Sequence, residues 1–252
     1  KTNNIGLYIH IPFCHTKCTY CDFNTYSGLE NLVSNFSNSI CDEIEFWTLD
    51  DSYIINSVFI GGGTPSYIEI EFLEKIISKV KNSFKLSQQT EITLEINPED
   101  VTTKKASLWK KIGINRCSIG IQSLNDEELK IINRRHSAST AINSIKILQN
   151  HFTNISVDLI YGLPKQNINS YLNTLERIIE INPSHISAYS LQVEKGTYLD
   201  KHKINFLNEE KLSVITVPYD LLMESPEHKW FLNLSKDQYQ TSNFAIDSYM
   251  EI

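Results

Sequence analysis

The sequence predicts an α/β protein built on a parallel sheet, and three observations support that prediction. First, six short apolar runs rich in β-branched residues recur between residues 5 and 191. Second, segments with helical apolar spacing lie between these runs, which is the order expected of βαβ units. Third, side chains within the runs alternate between apolar and polar, whereas the strands of buried parallel sheets are usually apolar on both faces. We therefore expect a barrel-like sheet, with helices on its apolar face and a polar interior.

The individual elements follow from these runs and from the residues at helix ends. The predicted strands are IGLYIHI, SVFI, EITLEI, RCSIGI, ISVDLIYG and HISAYSL. The predicted helices cover residues 29–49, 68–84, 102–112, 138–152 and 169–181. Thr102 or Thr103 caps the start of the third helix, and Gly113 ends it. An open antiparallel sheet with one wet face is the alternative, and the helices between the strands argue against it.

The polar face of the predicted sheet carries the residues of greatest interest for function. It presents Tyr8, His10, Thr93, Glu95, Ser118, Gly120, Gln122, Ser156 and Asp158. A closed barrel filled with side chains would not hold this many polar groups without partners. We expect an interior that receives a polar ligand near the carboxyl ends of the strands, where the active sites of barrels form.

Composition excludes several classes of protein. The 252 residues are 41% hydrophobic and 10% aromatic, which predicts a folded core rather than disorder. The 23 Lys and Arg residues against 30 Asp and Glu give a net charge of −7, so no nucleic-acid partner is expected. No apolar stretch approaches the roughly 18 residues that span a bilayer, and no secretory signal is evident. We expect a cytoplasmic protein without a membrane span.

Three of the five cysteines crowd into one short segment: Cys14, Cys18 and Cys21. This clustering suits a metal in a reducing compartment better than a disulfide framework. Thiolates are soft ligands that suit zinc or iron–sulfur clusters. Structural zinc needs a fourth ligand, for which His10 and His15 are candidates. On a [4Fe–4S] cluster, three cysteines leave one iron open to a ligand.

The motifs of the chain, taken in order, resemble one branch of the radical S-adenosylmethionine (SAM) family. This branch contains the coproporphyrinogen III dehydrogenases (HemN) and the HemW haem chaperones. The matching motifs are YIHIPFCHTKCTYCDF with its CxxxCxxC spacing, FIGGGTPS, LEINPED, RCSIGIQSLND, VDLIYGLP, SAYSLQVEKGT and YQTSNFA. The resemblance implies a partial (β/α)6 barrel of the TIM type, with an incomplete C-terminal extension. It implies a barrel core over residues 1–196, and a linker with part of a C-terminal region over 197–252.

The same resemblance implies the cofactors and their ligands. A [4Fe–4S] cluster on Cys14, Cys18 and Cys21 would bind SAM at its open iron. Transfer of an electron would then cleave the sulfonium C–S bond, leaving methionine and a 5′-deoxyadenosyl radical. The matching positions imply SAM contacts from Tyr8, Tyr20, Gly62, Gly63, Thr64, Glu95, Gln122, Arg134, Asp158 and Gln192. An electron donor of the flavodoxin or ferredoxin type is an implied partner.

Plainer interpretations of these residues stand beside the resemblance. The glycine run 61–63 is also typical of a tight turn. Glu95 is also compatible with a structural ion pair, and Tyr8 and Tyr20 with core packing. Arg135, beside Arg134, is expected to be a solvated helix charge.

One position favours the HemW type within the branch. The dehydrogenase pattern is CxxxCxxCxC, whereas Phe23 stands at the last position here. The leading hypothesis is therefore a haem-binding chaperone that delivers haem to respiratory proteins, with haem or porphyrin and a haem-acceptor protein as partners. The HNxxYW segment that follows SNFA in that type is absent, so the region is incomplete or divergent there.

Two other functions remain as alternatives. An oxygen-independent coproporphyrinogen III dehydrogenase of porphyrin biosynthesis is the enzyme alternative, and a zinc-stabilised barrel that only binds partners is the third. The sequence assigns neither a catalytic residue nor a haem ligand. His185, His202 and His228 are expected to be surface or packing residues.

Overall fold

The computed structural model describes residues 3–47 and 52–202, and the backbone of residues 249–251. Its strands are β1 (Asn3–Ile11), β2 (Tyr53–Gly62), β3 (Leu86–Ile96), β4 (Arg116–Gln122), β5 (Asn154–Tyr161), β6 (His185–Ser190) and β7 (Tyr249–Glu251). Its helices are α1 (Val33–Phe46), α2 (Ile70–Ser83), α3 (Thr103–Ile112), α4 (Asp126–Ile131), α5 (Ala138–Gln149), α6 (Ile168–Ile181) and α7 (Tyr198–Lys201). No helix in these ranges is both long enough and apolar enough to span a bilayer.

The strands form one parallel sheet in the order β6-β5-β4-β3-β2-β1-β7. Strands β1 to β6 follow one another across the sheet and curl into a half-barrel with the helices. This confirms the predicted α/β barrel fold and the six predicted strands. The open antiparallel sheet is wrong, because every strand pair is parallel.

The residues expected at the ends of the third helix take those roles. The Thr102 Oγ1 atom accepts a hydrogen bond from the Lys105 amide at 3.1 Å, which satisfies one free amide of the first turn. Gly113 follows the last turn of α3 with φ of +110°, a conformation that favours glycine. Local sequence signals therefore fix both ends of this helix.

Helix bounds elsewhere differ from the prediction. Residues 30–32 form a 3₁₀ turn ahead of α1, so the first helix begins later than expected. The short α4 was not predicted as an element of its own, because six residues are too few to show an apolar period. Helix α7 lies at the start of the segment expected to be a polar linker. The YQTSNFA motif and His228 lie outside the described residues.

The core lies between the sheet and its helices. Ile9 of β1, Leu94 of β3 and Ile119 of β4 are fully buried, and Trp109 of α3 is 1% exposed. The polar residues of the same strands point to the other face, into the half-barrel, as the alternation predicted. Burial of the apolar face is the main favourable contribution to folding.

Register places the carboxyl ends of the strands at one edge. Ile11 pairs with Gly62 at the ends of β1 and β2, and Gly120 pairs with Asp158 near the ends of β4 and β5. The loop that carries Cys14, Cys18 and Cys21 (the cysteine loop) and the glycine run 61–63 therefore leave the sheet side by side.

Candidate functional site

The cysteine loop leaves β1 and is fixed by backbone hydrogen bonds at both ends. The Cys14 amide donates to the Tyr26 carbonyl at 2.8 Å, and the Tyr26 amide donates to the Pro12 carbonyl at 2.7 Å. In the middle of the loop, the Thr19 amide donates to the Ile132 carbonyl at 3.2 Å. The segment between α4 and α5 thus supports the loop from the opposite side.

The three thiols of this loop are close enough to affect one another electrostatically. Burial, and then the charges of neighbouring thiols, raise the pKa of Cys14. Burial and the charge of Cys18 likewise raise the pKa of Cys21. Three thiolates together need a cationic centre to offset their repulsion, and iron–sulfur clusters are held by such thiolates. The donor set therefore fits a [4Fe–4S] cluster to which the described part of the chain supplies three cysteine ligands.

The other cysteines lie apart from this loop, on α1 (Cys41) and β4 (Cys117), and both are buried. Within residues 3–47 and 52–202, no three His, Cys, Asp or Glu side chains form a group that could hold a single metal ion.

The glycine run packs directly on the cysteine loop. The Thr64 amide donates to the Phe13 carbonyl at 2.8 Å, and the Thr64 hydroxyl donates to the Cys14 Sγ atom at 3.3 Å. A Cβ atom at Gly63 would lie 2.8 Å from the Phe13 carbonyl oxygen and 2.9 Å from the Ile11 carbonyl oxygen. This backbone approach, too close for any side chain, brings Thr64 to the thiol.

Two carboxylates face the interior of the half-barrel next to this turn. The Gly62 amide donates to Glu95 Oε2 at 3.0 Å, and the Ser118 hydroxyl donates to Asp158 Oδ2 at 3.0 Å. Burial, and then the charge of Asp158, raise the pKa of Glu95 to about 8. Burial raises the pKa of Asp158 to about 6. A cationic ligand in this interior would stabilise both carboxylates.

Arg134 brings a positive charge to the cysteine loop. Its Nη1 atom donates to the Cys18 Sγ atom at 3.6 Å, and its Nη2 atom donates to Asn97 Oδ1 at 2.8 Å and to the Gly120 carbonyl at 2.5 Å. The buried Arg134 Nε has no hydrogen-bond partner among the described residues. Hydrogen bonds from a guanidinium to a thiolate are charge-assisted and favour the ionised sulfur.

The remaining residues implied as SAM contacts lie in different environments. Gln122 has φ of +68° and accepts a hydrogen bond from the Tyr189 hydroxyl at 3.2 Å. Tyr20 packs beside a small buried apolar cluster, and the ring of Tyr8 stacks on Phe59 at 6.0 Å between centroids. These tyrosine contacts are compatible with core packing and with a place beside a ligand.

Gln192, the last residue implied, follows β6 and is exposed. In the two ranges with described side chains, no hydrogen bond joins it to the other residues implied for SAM. Hydrogen bonds therefore join Gly62 to Glu95 and tie Thr64 and Arg134 to the cysteine loop, whereas Gln192 lies outside these contacts.

Two histidines named from the sequence have ordinary roles. The His185 Nδ1 atom lies 2.8 Å from the Ser156 hydroxyl. His202 is exposed, and its ring stacks on Tyr198 at 3.7 Å between centroids. Neither histidine contacts the cysteine loop through these interactions.

Sequence reasoning missed several polar residues beside the cysteine loop. Asn97 follows β3 in the LEINPED motif, and Glu99 lies two residues later. The Glu99 Oε2 atom is 3.4 Å from the buried His136 Nδ1, and its Oε1 atom is 3.7 Å from Arg135. Arg135 is exposed, as expected, but it lies between α4 and α5 rather than on a helix, and it pairs with Glu99. The only sequence signal for Asn97 is its position directly after the end of β3, which does not show its partners.

These groups line a cleft beside the cysteine loop. Its lining residues are His15, Thr16, Cys18, Thr64, Tyr67, Asn97, Glu99, Asp100, Asn133, Arg134 and Arg135. The cleft thus joins a thiol, a cationic side chain and several hydrogen-bonding groups.

Comparison with known proteins supports one family for this arrangement. Heme chaperone HemW of Buchnera aphidicola (subspecies Schizaphis graminum) is 34% identical over 251 residues, which cover 99% of this chain and 65% of that protein. Heme chaperone HemW of Escherichia coli is 30% identical over 255 residues, with the same two coverages. The chain thus spans about 65% of the length of these relatives.

A solved structure and a family match agree with these relatives. The coproporphyrinogen III oxidase HemN from Escherichia coli, described as a radical SAM enzyme, has a TM-score of 0.79 and 25% identity. The match covers 88% of this chain and 52% of that one. Residues 8–178 match the radical SAM superfamily. Because that match spans more than half of the sequence, the chain belongs to the radical SAM superfamily.

Proposed function

We propose that this chain is a cytoplasmic, HemW-like radical SAM protein that binds haem for delivery to another protein. One observation carries the proposal: Cys14, Cys18 and Cys21 lie on one loop that packs on both the glycine run and Arg134. Residues 1–196 are proposed as the barrel core, and residues 197–252 as a linker with part of a C-terminal region.

The three cysteine thiolates would hold a [4Fe–4S] cluster. When bound, the cluster and SAM supply one-electron chemistry at the sulfonium group, as the family implies. The loop contributes ligands and a fixed position, because its backbone is tied to β1 and to the segment before α5. A reduced flavodoxin or ferredoxin is the proposed electron donor.

SAM would lie between the cysteine loop and the half-barrel interior. Its proposed contacts are Tyr8, Tyr20, Gly62, Gly63, Thr64, Glu95, Gln122, Arg134, Asp158 and Gln192. Glu95 would accept from the ammonium group, since a buried carboxylate gains most from a cationic donor. Arg134 would bind the SAM carboxylate, since its guanidinium already reaches the cysteine loop. Gln192 has the weakest support, because it is exposed.

The haem assignment rests on the names of the relatives and on one position of this chain. Both relatives described above are named for haem chaperone activity. Phe23, where the dehydrogenases have cysteine, is 57% exposed beside the cluster loop. The structural similarity to HemN supports the alternative, a coproporphyrinogen III dehydrogenase.

Two assays on the anaerobically reconstituted chain distinguish these functions. We expect saturable binding of haemin in an absorbance titration, and no vinyl product from coproporphyrinogen III supplied with SAM and a chemical reductant. His202→Ala is the matched control for adventitious binding by an exposed histidine, and it should titrate like the unsubstituted chain. Formation of the vinyl product would refute the chaperone, and an absence of saturable haemin binding would refute haem binding by this chain.

A further inference from the structure

Asn97 forms hydrogen bonds with both polar side chains that contact cysteine sulfurs, Thr64 and Arg134. It follows the last residue of β3, and its side-chain amide lies between Thr64 and Arg134. The Asn97 Nδ2 atom is 3.1 Å from Thr64 Oγ1, and Arg134 Nη2 is 2.8 Å from Asn97 Oδ1. Thr64 in turn reaches Cys14, and Arg134 reaches Cys18.

The direction of each hydrogen bond is fixed by chemistry. A guanidinium only donates, so the Asn97 oxygen faces Arg134 and the Asn97 nitrogen faces Thr64. Because Asn97 donates to the Thr64 oxygen, the single hydroxyl proton of Thr64 is free to point at Cys14, 3.3 Å away. One amide therefore orients donors toward two thiolates.

We propose that Asn97 is a positioning residue that sets the hydrogen bonds to Cys14 and Cys18, and through them the reduction potential of the cluster. The inference rests on the proposed function, since it needs the cluster on these cysteines. A hydrogen bond to a cluster sulfur stabilises the more negative, reduced state, which raises the reduction potential.

Asn97→Asp tests the direction of these hydrogen bonds with almost no change of shape. The carboxylate still accepts from Arg134, and that guanidinium offsets most of its charge. It can only accept from Thr64, so the hydroxyl proton turns from Cys14 to the carboxylate. We expect the equilibrium ratio of oxidised to reduced cluster to rise about tenfold at a given potential. For a one-electron couple, this corresponds to a midpoint potential that is lower by about 59 mV.

The same substitution in a Thr64→Val background isolates the hydroxyl. Valine has no hydroxyl proton to turn away from Cys14. In this background, Asn97→Asp should therefore shift the midpoint potential by less than half of the shift that it causes when Thr64 is present. A full shift in that background would overturn the role of Thr64. An unchanged potential in both backgrounds would overturn the inference altogether.

Asn115→Leu is the matched control for a purely structural amide. The Asn115 side chain also makes two hydrogen bonds, to the Ile92 amide at 2.7 Å and to the Thr90 carbonyl at 2.8 Å, but at the start of β4. Its loss should lower the free energy of unfolding and leave the potential unchanged; a shift equal to that of Asn97→Asp would contradict the inference. If no cluster chromophore forms in the unsubstituted chain, the proposed function fails, whereas an intact cluster with an unmoved potential refutes the role of Asn97 alone.

Discussion

Glu95 and Asp158 are the residues whose ionisation the fold perturbs most clearly in the half-barrel interior. Burial is the first cause for both, and their mutual repulsion adds to it for Glu95. Because the folded state raises both pKa values, it binds protons at these carboxyls more tightly than the unfolded chain does. The free energy of unfolding should therefore fall as pH rises through this range.

We expect Glu95→Gln to remove much of this pH dependence. The pKa of Glu95 moves from an ordinary 4.5 to about 8, so the loss develops between those values and is absent below them. Without ligand, the variant should match the unsubstituted chain at low pH and exceed it by about 2 kcal/mol or more at pH 8. Urea unfolding at a series of pH values measures this difference.

The exposed Glu45 of α1, which pairs with Lys79, provides the control at the residue scale. Glu45→Gln should leave the pH profile between 4.5 and 8 nearly unchanged, because the hydrogen bond and charge of Lys79 lower the pKa of this exposed carboxylate below its ordinary 4.5. If Glu95→Gln and the unsubstituted chain differ equally at every pH, the perturbed ionisation of Glu95 is refuted.

At this scale, spacing in the sequence predicted more than any other signal. Cys14, Cys18 and Cys21 were recognisable because local spacing alone places them on one loop. Asn97 and His136 were not, because their roles depend on partners distant in the chain; the two partners of Asn97 are 33 and 37 residues away. Asn97 gains its meaning only when Thr64 and Arg134 pack around it.

The cysteine loop and the glycine run act as one unit at the scale of elements. Backbone hydrogen bonds join the end of β1 to the turn after β2, and the Thr64 hydroxyl adds a side-chain hydrogen bond to Cys14. A side chain at Gly63 has no space, since the atoms it would meet belong to the backbone at Ile11, Pro12 and Phe13. Separation of the two elements would also remove Thr64 from Cys14.

We expect Gly63→Ala to displace the cysteine loop. The free energy of unfolding should fall by about 2 kcal/mol, since overpacking typically costs 1–3 kcal/mol. Iron incorporation on anaerobic reconstitution should fall with it. Urea unfolding and iron analysis of the same preparation measure both effects.

Gly196→Ala is the control for that substitution. Its Cβ would meet no atom of the described residues within 4 Å, so the substitution introduces only the backbone strain of a positive φ. Iron incorporation should stay normal in this variant. Full incorporation in Gly63→Ala would show that close backbone packing is not needed to form the site.

Elements with clear end signals were predicted well, and short ones were not. Thr102 and Gly113 define α3 locally, and the structure uses both. In contrast, α4 has six residues and depends on the Asn125 cap and on packing of Leu129. Such a helix is stabilised by its surroundings, which a local pattern does not contain.

For the whole molecule, alternation within the strands was the informative signal. The alternation predicted a polar interior, and the half-barrel places Glu95 and Asp158 there. The parallel order of β1 to β6 followed from the helices between them. The partner of β1 on its other side, β7, could not be predicted, because it comes from residues distant in sequence.

The fold and the ligand set lead to one claim about the whole molecule. Three cysteine thiolates would hold a cluster in which one iron is free to bind SAM, and the adjacent half-barrel interior would accept the positive charge of that ligand. The most direct test is metal analysis of the anaerobically reconstituted chain, followed by titration with SAM while the cluster spectrum is recorded. We expect about four irons per chain and a spectral change that saturates with SAM. The Cys14→Ala variant should lose both the irons and the spectral change with SAM, and the Cys41→Ala variant should keep both. One zinc ion held by four protein ligands, without any uptake of SAM, would contradict this claim.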